Sequence, residues 1–312
     1  MRALAAFIMR SRVHAGGTAA LLLLGGWLFA PLMPLMSFLS GGAVALASLR
    51  HGPKEGLAVI AVAGVVAAAA AWAGFGSPYA GLLIIPGLWL PVWLCAAVLR
   101  YTRRQGVLLF ATGLMAALLA GGLRLSTENV TTMWREQLQG MLTFAQQDKS
   151  AAVMNAEAIG RLASAMNSIM AASVVVSLMI VLLLARWWQS MLYNPGGFSQ
   201  EFRRMCLPRL PMMLLTTALL ALVAITGLNA VEWHPQYATD LLVIVSTLYA
   251  FQGLAAIHNF VAVRGLSIGW LVGLYVLLLV QALPAILLLV AVGLADSLMD
   301  RRGGRAAEGP PL

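Results

Sequence analysis

Charge is what this sequence most lacks. Asp, Glu, Lys and Arg make up 10% of its 312 residues and hydrophobic types 61%, whereas a soluble globular domain is about 25% charged. A soluble fold is excluded on that ground. Cysteine is nearly absent: Cys95 and Cys206 are the two present, which is too few for a disulfide framework, and they read as unrelated thiols. The four histidines, His14, His51, His234 and His258, have no i, i+4 or Cys partner at metal-ligand spacing, so no metal is expected. There is no Gly-x-x-x-x-Gly-Lys loop for nucleotide phosphates, and no Ser/His/Asp set can be assembled. The expectation is a protein that is not an enzyme and has no cofactor. The short alternating segments of a β-barrel are also missing.

What is present is a series of apolar runs of roughly 17–20 residues, the length that crosses a bilayer as a helix. They fall at 15–31, 33–49, 56–73, 80–99, 106–123, 168–187, 211–230, 241–263, 266–281 and 283–299. The two end regions, 15–49 and 266–299, are nearly continuous. One helix of some 35 residues would reach about 50 Å, against a hydrocarbon core of roughly 30 Å. Pro31-Leu-Met-Pro34 interrupts the first and Gln281-Ala-Leu-Pro284 the second, so each is expected to fold as a tight helical hairpin. The positive-inside rule supports ten spans with both termini in the cytoplasm. On that reading every Lys and Arg except Arg124, Arg135, Lys149 and Arg161 falls on the inner side. An Ala-x-Ala at Ala45–Ala47 lies too far in for a cleaved signal peptide, so the first span reads as retained.

The fold expected is thus all-α: a polytopic transmembrane helix bundle of about ten spans in the inner (cytoplasmic) membrane of a bacterial cell. Residues 1–302 form one transmembrane domain, and 303–312, GGRAAEGPPL, a disordered cytoplasmic tail. The net charge of +9 orients the chain and draws it to anionic headgroups of the bilayer, its first partner. Without a basic soluble module, no nucleic acid is expected to bind.

Residues 124–167 are the sizeable extracytoplasmic piece. Val130, Met133, Trp134, Leu138, Met141, Leu142 and Ala145 keep helical spacing, with Ser126 or Thr127 available as a cap. A second pattern runs from Met154 through Ile169 into the sixth span. The segment reads as an amphipathic helix on the outer face followed by a long helix entering the bilayer; it serves as a lid, a partner surface or a cover. Inside, Trp187-Trp188-…-Tyr193-Asn-Pro-Gly-Gly197 gives headgroup-level aromatics and a turn. Ser199 is placed to cap a short interfacial helix with Phe198, Phe202 and Met205 on one face and Arg203 and Arg204 beside them. Phe198, Phe202, Arg203 and Arg204 are candidates for docking a membrane or cytoplasmic protein partner, or else for anchoring a rigid connector.

Polar residues inside spans are the usual pointers to function. No charged residue falls in mid-span, which weighs against a proton- or ion-coupled pump. In the eighth span Ser246, Tyr249, Gln252 and Asn259 share a helix face, with His258 to one side; they contact a ligand or tie helices together. In the fourth span Pro86 and Pro91 break the helix, and Trp89 and Trp93 lie one turn apart. They form the wall of a small-molecule pocket or fill space at a kink. Small residues at four-residue spacing, Gly113/Ala117/Gly121, Ala15/Ala19 and Gly269/Gly273, permit close helix contact.

Trp187-Trp188, Tyr193-Asn-Pro-Gly-Gly-Phe198, Glu201-Phe202, Gln252-Gly253-Leu254, His258 and the arginine-rich end after Asp296 together resemble the YybS-like family of bacterial multipass membrane proteins. That family has no assigned activity, so the resemblance assigns no catalytic or binding residue. It is distantly similar to the substrate-binding subunits of energy-coupling-factor transporters, which have about six spans rather than ten, and to the rod-shape scaffold MreD. The resemblance implies a membrane module that captures a small uncharged or apolar molecule and takes its energy from a partner, or a scaffold in envelope assembly. Ala15 and Ala19 are similar to the small-residue contact that such transporter subunits offer a coupling partner.

Overall fold

The computed structural model describes residues 1–147, 155–227 and 235–299. The proposed tail, residues 303–312, and residues 148–154 and 228–234 lie outside the described residues. Everything described is helix or connector. A short α1 (Arg2–Ile8) leads into α2 (Arg12–Leu28), whose first turn is capped by Ser11 Oγ accepting from the His14 amide. A 3₁₀ turn at Ala30–Leu32 carries Pro31 and reverses the chain into α3 (Met33–His51), which packs along α2. The first hairpin therefore forms where the prolines place it.

Gly52, at φ 103°, and Pro53 at the first helical position then start α4 (Pro53–Phe75). The fourth apolar run is broken as its prolines require. A single turn, α5 (Tyr79–Leu82), passes through a π-helical turn at Ile85–Trp89 into α6 (Leu90–Thr102). Pro86 has no N–H to give the Leu82 carbonyl, and four residues on the Leu90 amide bonds to the Ile85 carbonyl, five residues back, which makes the π turn.

The second half runs α7 (Gln105–Ser126), α8 (Val130–Gln147), α9 (Ala156–Tyr193), α10 (Gly197–Arg203), α11 (Arg209–Gly227), α12 (Pro235–Val263), α13 (Gly269–Val280) and α14 (Ala282–Met299). At 38 residues α9 is about 57 Å long, well beyond the roughly 30 Å hydrocarbon core. It and α3 form the axis of the bundle: α3 packs on α2, α4, α6 and α9, and α9 packs on α3, α7, α8 and α12. The second pattern in 124–167 thus joins the sixth span without a break, opened by Asn155 Oδ1 capping the Ala158 amide. The cap of α8 differs from expectation. α7 continues through Ser126, and Asn129 Oδ1 takes the Thr132 amide at 3.0 Å.

Among the described residues seven helical units are long and apolar enough to cross a membrane: Ala30–His51, Pro53–Gly74, Tyr79–Thr102, Gln105–Ser126, Ala156–Tyr193, Gln236–Val263 and Ala282–Met299. The remaining three apolar runs fall on α2, α11 and α13. The last has 12 residues, about 18 Å, too short to cross alone. It breaks from α14 at Gln281 as expected, but α14 packs chiefly on α12 rather than on α13.

The basic groups gather at one end of the bundle. There Arg100 Nη1 donates to the carbonyls of Leu49 and Arg50, Arg12 pairs with Glu55, Arg50 stacks 4.1 Å over the Tyr193 ring, and Gln105 reaches Glu201. Arg124 lies at the other end with Asp240.

Candidate functional site

The densest polar cluster is one the span boundaries hide. Arg124 occupies the last turn of α7, one residue past the fifth run, and Asp240 opens the eighth. Their side chains are 5% and 6% exposed. Arg124 Nε donates to Asp240 Oδ2 at 2.5 Å, and Nη1 and Nη2 donate to the side-chain and main-chain oxygens of Gln236 at 2.8 and 3.4 Å. The Tyr237 ring lies 5.5 Å from the guanidinium. From α9, Asn167 Nδ2 donates to Asp240 Oδ2 at 2.6 Å and Ser168 Oγ to Oδ1 at 2.5 Å. One carboxylate thus receives three donors from two helices besides its own, which compensates its burial. The Asn167 amide must turn its N–H to the carboxylate, which leaves its buried Oδ1 without a partner.

At the basic end a second ion pair binds α9 to α10. Arg186 Nε and Nη2 grip both oxygens of Glu201 at 2.7 and 2.6 Å, and Nη1 donates to Gln189 Oε1 at 2.7 Å. α7 joins through Gln105 Nε2, 3.4 Å from Glu201.

Three of the residues singled out in the eighth span, Tyr249, Gln252 and His258, are hydrogen-bonded within the bundle. Gln252 is buried. Its Oε1 accepts from the Leu207 amide at 3.2 Å and its Nε2 donates to Asp296 Oδ2 at 2.8 Å. Tyr249 Oη lies 3.0 Å from Thr216 Oγ1 of α11. Ser246 and Asn259 are half-buried. His258 Nδ1 is 2.9 Å from the Leu254 carbonyl, which fixes the hydrogen on Nδ1, and Nε2 accepts from Tyr275 Oη at 3.3 Å.

Trp89 is fully enclosed. Its Nε1 donates to Ser40 Oγ at 3.1 Å, and Ser40 in turn donates to the Ala19 carbonyl at 2.7 Å. Trp93 Nε1 donates to the Pro53 carbonyl at 2.8 Å. The two candidate sets are not brought together: α9 packs between α6 and α12, which do not pack on one another. Ser40→Ala should leave the Trp89 N–H buried without an acceptor and cost roughly 1–3 kcal/mol. With Trp89→Phe and the double variant read in the same unfolding titration, the losses should be non-additive, the double variant losing less than the two single variants together; additive losses would mean the bond contributes little.

Of the docking candidates, Phe198 and Phe202 stack at 6.3 Å, and Phe202 meets the His258 ring edge-on at 5.3 Å. These half-buried rings therefore link α10 to α12. Arg203 folds back on Ser199 at 3.0 Å, and Arg204 is exposed. Ser199 is not the cap expected of it. The turn passes through Gly196 at φ 88°, α10 starts at Gly197, and Ser190 Oγ takes the Phe198 amide instead. Trp187 and Tyr193 are exposed as headgroup anchors require, but Trp188 is enclosed against Gly42 of α3. Consecutive helical residues point about 100° apart, so the pair cannot share one environment.

The architecture is that of a multi-pass, all-α membrane protein. The chain belongs to the predicted membrane protein family DUF2232, which it matches over residues 18–297. The resemblance to the YybS-like membrane proteins holds at that level. No curated protein and no solved structure matches the chain.

Proposed function

We propose that this is a non-catalytic scaffold of the bacterial inner membrane, its basic end in the cytoplasm, that presents α8 and the start of α9 to a protein partner on the outer side. The observation that carries this reading is the position of the Arg124–Asp240 cluster. Asn167 and Ser168 meet it level with the end of α7, so residues 156–166 of α9 extend past that helix by about 16 Å. α8 packs along this extension, with Arg135 beside Gly160 and with Val130, Ile159 and Ala163 buried. Gln137, Gly140 and Met141 face away from it. A helical pair whose root is locked by a buried ion pair holds a fixed angle to the bundle, which suits recognition by another protein.

Capture of a small uncharged molecule for transport is the competing reading, but its two candidate walls face different neighbours, and Trp89, Trp93, Tyr249, Gln252 and His258 are hydrogen-bonded within the bundle. A photo-crosslinking residue at Gln137 or Met141 in native membranes should give one discrete protein adduct. The same residue at Leu279, on the lipid-facing side of α13, should give none. A chain that yields no adduct from α8 and retains a metabolite released by Gln252→Ala would replace the scaffold with the transport module.

A further inference from the structure

We infer that the cavity where α1 turns into α2 is a binding site for the headgroup of an anionic phospholipid. It encloses about 180 Å³ between the end of α1, the start of α2, the end of α3 and the start of α4. That is below the roughly 300 Å³ at which pockets for drug-sized ligands begin, and fits a phosphate with its glycerol better than a whole metabolite. Arg10, Arg12 and His51 stand around it, and Ile8, Ala15 and Val59 are apolar and buried.

The charge is unbalanced toward an anion. Glu55 also lines the cavity, but both its oxygens are held by Arg12 at 2.5 Å. Arg10 has no carboxylate partner among the described residues; its guanidinium lies 5.5 Å from the Phe7 ring. The opening turn of α2, where Ser11 and Arg12 line the cavity, adds the positive end of a 17-residue helix, one of its amides being taken by Ser11 Oγ.

The surroundings select a lipid over a free anion. The cavity lies at the basic end of the bundle, and the exposed Phe7 ring on α1 stands beside Arg10, which lines it. That ring offers an acyl chain an apolar surface beside the phosphate position. Basic pockets between membrane helices take headgroups in this way.

The test is native mass spectrometry of the full chain, delipidated in detergent and then offered phosphatidylglycerol or phosphatidylcholine. Phosphatidylglycerol should be retained preferentially. Arg10→Ala should weaken that retention about fivefold, the weight of one cation at a lipid surface, and Arg10→Glu should weaken it further. Arg104→Ala, an exposed cation that does not line the cavity, should leave it unchanged. Arg10 is itself exposed, so folding should survive its loss, and unfolding midpoints of the same samples check this. Equal retention of the two lipids would overturn the proposal. So would an equal loss in Arg104→Ala, which would mean diffuse charge, or displacement of the lipid by excess inorganic phosphate, which would mean a free-anion site.

Discussion

Arg124→Ala should destabilise the bundle by about 3–5 kcal/mol, the usual cost of stripping one partner from a buried ion pair. The value of about 0–1 kcal/mol for exposed pairs does not apply, because both side chains are about nineteen-twentieths enclosed. Without Arg124, Asp240 keeps Asn167 and Ser168 as donors but remains a buried charge with no counter-ion. Asp240→Ala should cost a similar amount by stranding the guanidinium. Arg124→Met combined with Asp240→Leu removes both charges and should recover most of the loss, since an apolar pair of similar volume is often as stable as the ions it replaces. Equilibrium unfolding in mixed micelles, followed by tryptophan fluorescence, separates these cases. Single variants losing under about 1 kcal/mol would show the pair to be solvated. The scaffold reading adds a second readout: the single variants should weaken crosslinking from Met141 by loosening the root of α8, even where the bundle stays folded.

Why this pair was not among the sequence candidates, while the helices and their breaks were, has a physical cause. Apolar runs and their punctuation are local. Pro31 and Pro34, Pro86, Asn194-Pro-Gly-Gly197 and Gln281 each act on the backbone within a turn of themselves, and each break appears where they stand. Partnership is not local. A span boundary drawn by hydropathy stops at the first charge and so assigns Arg124 and Asp240 to water. Yet they meet 116 residues apart in sequence. The available signal was a lone arginine directly following one apolar run and a lone aspartate directly preceding another, at the same end of the bundle. The shared face of Tyr249 and Gln252 was legible as a face, but Thr216, Leu207 and Asp296, which bond to it, come from two helices and a connector that periodicity cannot place. Ala15 and Ala19 repeat the point: their surface is buried within the chain's own bundle, where Ser40 bonds to Ala19.

Gly293→Val should separate α12 from α14 and cost at least the upper part of the roughly 1–3 kcal/mol typical of overpacking. A Cβ at Gly293 would lie 2.0 Å from the Tyr249 carbonyl oxygen, and one at Gly253 would lie 2.0 Å from that of Leu289. Both obstacles are backbone, which cannot rotate aside as a side-chain tip would, so one of the helices must move. The displacement would also pull Asp296 from Gln252 and disturb the Gln252 bond to the Leu207 amide, coupling the helix pair to the basic end. Gly273→Val is the control. No atom lies within 4 Å of its Cβ position, and a change there should fall within about 0.5 kcal/mol. Equal unfolding midpoints for the two variants would refute the close approach. Gly269 and Gly273, spaced as a helix-contact motif, lie open, whereas the tight crossing uses one glycine from each of two helices. Two backbones meet closely wherever neither carries a Cβ at the crossing point, and that condition is set by the pairing of helices rather than by a four-residue spacing along either one.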